Sequence, residues 1–175
     1  MRVTETTPYD ADRAQFTRQA LARLVLCHHS VDVAKSARGL VATENDPDTG
    51  PGGRVSQAFQ LIELAERALT SAVIYERERG SSWGEIAQYV GIDATEAEER
   101  FAAALEGWNT AFDVPYRLDE TGRKRIPQLP TAAYDPAWAC THLDRWLHLQ
   151  HSGHKRAVSS GLVMATPAED SPVAP

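Results

Sequence analysis

The sequence predicts an all-α fold, a helical bundle in which one long helix leads into two shorter ones. Three observations predict it. Apolar residues recur at three- and four-residue spacing along most of the chain. The stretch from Arg54 to Arg79 holds neither Gly nor Pro. Between Ser81 and Trp108, two helix-start signals flank a single turn glycine, Gly91.

The 175 residues suit one ordinary domain with a real core and loose ends. Four stretches compose it: a helical segment and loop over 1–53, the long helix and its two followers over 54–112, a hairpin or loop and a last helix over 113–153, and a tail over 154–175. From Asp10 to about His29, Phe16, Ala20, Leu21, Leu24 and Cys27 share one helical face, with Arg13, Arg18 and Arg23 on the others. Ser30 reads as the cap of a further helix to about Val41. Residues 43–53 then gather two prolines, three glycines and three acids, which marks a loop.

The long helix is expected over Arg54 to Arg79, with Ala58, Leu61, Ile62, Ala65, Leu69, Ala72 and Val73 forming a broad buried stripe. Glu63 and Arg67 make a four-residue-spaced pair worth only ~0.3 kcal/mol, so burial of the stripe must supply most of the stability. Gly80 ends the helix.

The next two helices have the outline of a helix-turn-helix. Ser82 stands three residues before Glu85, the spacing of a capping box, and Trp83 opens the helix. Ile86 and Val90 face inward, and Ala87 is small where the second helix must cross closely. Gly91 supplies the left-handed backbone of a sharp turn, and Ile92 plugs the corner. Asp93 with Glu96 reads as a second capping box. Beyond it Ala97, Phe101 and Leu105 share the inner face, while Ala94, Thr95, Glu98 and Glu99 face out.

After Trp108 the pattern loosens. Tyr116, Arg117 and Leu118 could pair with Lys124, Arg125 and Ile126 across a turn from Asp119 to Gly122, or the whole segment could be an irregular loop. Asp135 followed by Pro136 opens a last helix as N-cap and first-turn proline, and Trp138, Leu143, Trp146, Leu147 and Leu149 carry it to about Gln150. Past Gly153 the small and polar residues read as a disordered tail.

The stretch SSWGEIAQYVGIDATEAEERF resembles the helix-turn-helix of the promoter-reading C-terminal domain of sigma factors. It is more similar still to small actinobacterial-type regulators, in which a long helix leads into the pattern S-W-x-E-I-G-x-x-L-G-V-S-R-x-A-A-x-x-R-F. Ser82, Trp83, Glu85, Ile86, Gly91, Ile92, Ala97, Arg100 and Phe101 fit that pattern, and nearly all are scaffold positions. The resemblance implies a DNA-associated transcriptional regulator whose second helix reads a major groove, with Ala94, Thr95 and Glu98 as reading positions and double-stranded DNA as partner.

Charge pulls the other way. Lys and Arg number 18 against 24 Asp and Glu, a formal charge of −6, the wrong overall sign for a dedicated nucleic-acid binder. The pattern's Ser-Arg is Asp93-Ala94 here, and Glu98 and Glu99 replace polar or basic residues one turn later. Such a face repels phosphates unless cations stand beside it. Arg117, Arg123, Lys124 and Arg125 would supply them if the hairpin sat beside the second helix like a wing. The alternative is a protein-interaction adaptor that keeps the scaffold and docks its acidic face on a basic surface. The broad apolar stripes of the first two long helices further suggest a homo-oligomer.

Other constellations carry less. His148, His151 and His154 with Cys140 and His142 lack zinc-ligand spacing, so no metal is expected, and solvated histidines at a helix end account for them. Four tryptophans, Trp83, Trp108, Trp138 and Trp146, read as core. The glycines of DTGPGG form no phosphate loop, no cofactor motif occurs, and no catalytic set can be argued, so an enzyme is not expected. Two separated cysteines, the lack of an apolar leader and the lack of any membrane-length run point to a soluble cytoplasmic protein.

Overall fold

The two longest helices, α2 (Arg18–Val41) and α3 (Gly53–Glu78), run as an antiparallel pair and organise everything else. The computed structural model describes residues 7–43, 46, 49–150 and 162. Among these, α1 (Pro8–Ala14) precedes the pair. It is followed by α4 (Trp83–Val90), α5 (Ala94–Asp113), a ribbon of β1 (Tyr116–Leu118) and β2 (Arg125–Pro127), α6 (Thr131–Tyr134) and α7 (Pro136–Gln150). The fold is all-α with one short antiparallel hairpin, as the spacing predicts. Of the expected disordered tail only Leu162 is among the described residues, and it is half-buried against the main core instead of loose.

Thr7 caps α1 through a capping box with Asp10, and the chain turns at Gln15 before Thr17 caps α2 on Ala20 N. The expected single helix from Asp10 to His29 is therefore two. Conversely, α2 runs unbroken through Ser30, whose hydroxyl donates to the carbonyl of Leu26 at 2.7 Å instead of capping a new helix. A mid-helix serine whose hydroxyl bonds back one turn has no reason to start another.

The main core joins Leu21, Leu24, Val25 and Val31 of α2 to Trp108 and Ala111 of α5. Leu129, Ala132, Ala133, Ala139 and Leu143, from the linker, α6 and α7, complete it. The four-residue helix α6 went unpredicted, because two alanines between Pro130 and Pro136 show no periodicity. Asp135 Oδ1 accepts from Trp138 N at 3.0 Å and starts α7 as expected. Trp108 is buried, Trp83 and Trp146 are half-buried, and Trp138 is exposed on the outside of α7, so the tryptophans are only partly core. A second, smaller cluster unites Val73, Ile86 and Phe101, with Leu69, Trp83 and Val90 around it.

The predicted stripe of α3 is only partly buried. Val73 is buried and Leu61, Leu69 and Ala72 are half-buried, but Ala58, Ile62 and Ala65 are exposed. The cause is reach: α4 and α5 cover the C-terminal third of that face and stop there. Glu63 and Arg67 are exposed and form no ion pair with each other among the described residues.

No helix among the described residues is long and apolar enough to cross a membrane.

Candidate functional site

Capping and one left-handed turn build the helix-turn-helix. Ser82 Oγ accepts from Glu85 N at 3.2 Å while Glu85 Oε2 accepts from Ser82 N at 2.7 Å. The Ser82 N–H, with the Ser82 hydroxyl that donates to the same Oε2 at 2.8 Å, holds the exposed Glu85 carboxyl below the usual range. Ahead of that cap, Arg77 donates to Ser81 O at 2.6 Å and lies over the Trp83 ring at 4.7 Å, which fixes how α4 leaves α3. Ile86 and Ala87 are buried and Ile92 is half-buried at the corner. Gly91 ends α4 at φ 75°, its N–H returning to Ala87 O at 2.9 Å.

Asp93 then caps α5, its Oδ1 accepting from Glu96 N at 2.8 Å. The expected reciprocal bond from Glu96 is not formed, so this is a simple cap, not a capping box. Ala97 and Phe101 are buried beneath α5, as predicted.

Ala94, Thr95, Glu98 and Glu99 are all exposed on the opposite face. With Asp93, Glu96 and Arg100 beside them, also exposed, four carboxylates accompany one guanidinium on the first two turns. That guanidinium lies 5.2 Å from the Phe101 ring centre.

The basic hairpin does not sit beside this face. β1 and β2 pair antiparallel with Tyr116 opposite Pro127, Arg117 opposite Ile126 and Leu118 opposite Arg125. That register is one residue off the predicted one and leaves Lys124 in the turn. The shift follows from Asp119, whose Oδ1 accepts from Thr121 N and Arg123 N at 3.0 Å each and whose N–H donates to Lys124 O at 2.8 Å. The donors to Oδ1 hold the Asp119 carboxyl below its ordinary range, the Thr121 hydroxyl, at 2.8 Å, contributing most. The hairpin follows the last turn of α5, whereas Ala94, Thr95 and Glu98 lie on its first two. The helix's 20 residues put roughly 30 Å between its ends.

Arg117, Arg123 and Lys124 are exposed there, but Arg125 is half-buried over the Tyr116 ring at 4.3 Å. Arg125 also acts on Asp10 of α1. Burial raises that carboxyl, and the Thr7 hydrogen bonds with the Arg13 and Arg125 charges outweigh it, for a net lowering. The structure thus divides the predicted site residues into an acid face at one end of α5 and a basic hairpin at the other.

One feature had no sequence signal. Between α3 and α4 runs an open cleft of about 410 Å³ floored by Leu69, Ala72, Val73, Ile86 and Val90, with Glu76, Arg79 and Glu85 at its polar edge. Tyr89, 91% exposed, stands beside it. Apolar periodicity marks what faces inward, and Tyr89 lies about 100° around the helix from Val90. Among the described residues, no group of three or more His, Cys, Asp or Glu could hold a metal ion; His151 and His154 lie outside them. Compared with protein-family models, with curated proteins and with solved structures, the chain gives no match.

Proposed function

We propose that the chain is a non-enzymatic, cytoplasmic regulatory protein in which a helix-turn-helix scaffold docks a basic protein surface through the outer face of α5. One observation carries this reading: Glu98 and Glu99 are exposed on that face while the basic hairpin hangs from the far end of the helix. Each unscreened carboxylate set near a phosphate adds about 1 kcal/mol of repulsion at contact distance in water, and no hairpin cation stands close enough to offset it. A basic partner turns the same charges into attraction and orientation.

A second reading, a DNA-associated transcriptional regulator of the sigma-like kind, draws on a different observation. Ala94 and Thr95 open to solvent just past the Asp93 cap, at the end of the second helix from which such helices contact bases. The titration that separates the two uses a labelled 20-base-pair duplex (~20, one site with flanks) and an arginine-rich helical peptide against the full chain. The docking reading expects no duplex binding at low salt and peptide-induced NMR shifts over Ala94 to Arg100. Steeply salt-dependent duplex binding would overturn it in favour of DNA. A second copy of the chain is the other partner we propose, on a surface away from α5.

A further inference from the structure

Seen down its axis, α3 carries one apolar stripe from Val55 to Val73. Val55, Ile62, Leu69 and Val73 fall within about 40° of each other, with Phe59 on one flank and Ala58 and Ala65 on the other. Its C-terminal end is covered by Ile86 and Phe101. Nothing among the described residues covers the rest, where Val55, Phe59 and Ile62 expose 74%, 60% and 57% of their surface. At the same end, Arg54 reaches the carbonyls of Gly39 and Ala42 at 3.4 Å each, which brings Val41 of α2, also exposed, beside the first turn of α3.

We propose that this uncovered stripe is a dimer interface, its occupant α3 of a second copy laid antiparallel about a twofold axis near Ile62. The spacing of Val55, Ala58, Ile62, Ala65 and Leu69 alternates threes and fours, with Phe59 beside that seam, the repeat that lets two helices interlock. An antiparallel pair centred on Ile62 sets that residue against its own counterpart. It also brings Ala58 to within one residue of Ala65 of the second copy on the same flank, where two small side chains let the axes approach closely. The stripe is thus self-complementary, as a twofold interface must be.

Area agrees. Val55, Phe59 and Ile62 offer roughly 300 Å² of apolar surface per copy. Two such patches make about 600 Å², and Ala58, Ala65, Val41 and the polar side chains flanking them must supply as much again to reach the lower range of specific interfaces, about 1,200 Å² in total. This surface is separate from the outer face of α5, so the pairing and the docking reading can fail independently.

Sedimentation equilibrium of the full chain tests it. The expected mass is twice the 19.2 kDa of one chain. Phe59→Asp with Ile62→Asp should weaken the dimer by at least about a hundredfold at unchanged helix content. Should that variant fail to fold, Ile62→Cys gives the answer under mild oxidation. It should form a covalent dimer well above the background from Cys27 and Cys140, while Arg117→Cys on the hairpin should not. A monomer at all concentrations would overturn the proposal and leave the stripe to another segment of the chain or to a different protein. So would an aspartate variant that still pairs, or an Ile62→Cys chain that does not cross-link.

Discussion

Trp108 donates its indole N–H to Glu78 Oε1 at 2.8 Å, which ties the last turn of α3 to the back half of α5. The same oxygen accepts from Arg18 Nη2 at 2.7 Å, and Arg18 also reaches Asn109 Oδ1 at 2.6 Å, so α2 joins the knot. Trp108 is buried, and Glu78 Oε1 satisfies its N–H. Glu78→Leu should therefore cost about 1–3 kcal/mol, the desolvation penalty of a stranded buried donor. Glu78→Gln, which keeps an acceptor, should cost clearly less. Urea unfolding of the two variants checks this, and equal losses would mean that the charge on Glu78, not its acceptor, matters.

Gly91 holds φ 75° with open space where a Cβ would stand. Gly91→Ala should thus destabilise by about 1 kcal/mol through backbone strain alone, and Gly91→Asn by less. Because the turn sets α4 against α5, the loss should accompany weaker protection of α4 amides from hydrogen exchange. A Gly91→Ala variant as stable as the parent would show that the turn relaxes to negative φ at no cost.

Sequence pattern located α3, α4, α5 and α7 well because each combines helical apolar spacing with a chemical start or stop: Gly80, Ser82 with Glu85, Gly91, Asp93, and Asp135 with Pro136. Where those punctuation marks are weak, pattern and structure part. The break at Gln15 has no Gly or Pro to announce it, and Ser30 looks like a cap until its hydroxyl is seen bonded to Leu26 O. Periodicity gave the direction of the α3 stripe but not its cover. Whether Ile62 is buried depends on where α4 and α5 end, which no local pattern encodes. The placement of Arg123 and Lys124 relative to Glu98 failed for a similar reason, since it rests on the length of α5 and the hairpin's exit from its far end.

His28 and His29 predict how stability follows pH. His28 of α2 meets Trp138 of α7 edge-on at 5.7 Å and His142 at 6.5 Å, with Asp32 and Lys35 nearby. His29 shares a 2.7 Å hydrogen bond with Ser71 of α3. Burial is the main cause lowering both imidazoles below their ordinary value; for His28 it outweighs Asp32, while His142 and Lys35 add to it. In the unfolded chain both bind protons more readily, so the unfolded state gains protons first as pH falls below about 6.5. The stabilisation is full above that value and is lost as pH drops through the window toward the folded values. Denaturant midpoints measured from about pH 8 down to about pH 5 should decline, and His28→Asn with His29→Asn should flatten the slope. A parent slope unchanged in the double variant would assign the dependence to other groups.

The charge of α5 makes the most direct prediction about function. Glu98 and Glu99 are exposed, no ion pair among the described residues engages them, and they lie on the scaffold's outward face. Glu98→Lys with Glu99→Lys changes the local charge by four without touching the core, so folding should stay within about 0.5 kcal/mol of the parent. If the face docks a basic surface, binding of an arginine-rich peptide should fall by at least about tenfold, each lost contact being worth on the order of 1 kcal/mol. The same variant should gain salt-sensitive affinity for duplex DNA, because the helix would then present cations where a groove's phosphates lie. Neutralising Arg123 and Lys124 to Gln makes the counterpart. Set at the far end of α5, these residues should leave peptide binding unchanged. Peptide affinity that instead followed Arg123 and Lys124 while ignoring Glu98 and Glu99 would move the docking site to the hairpin.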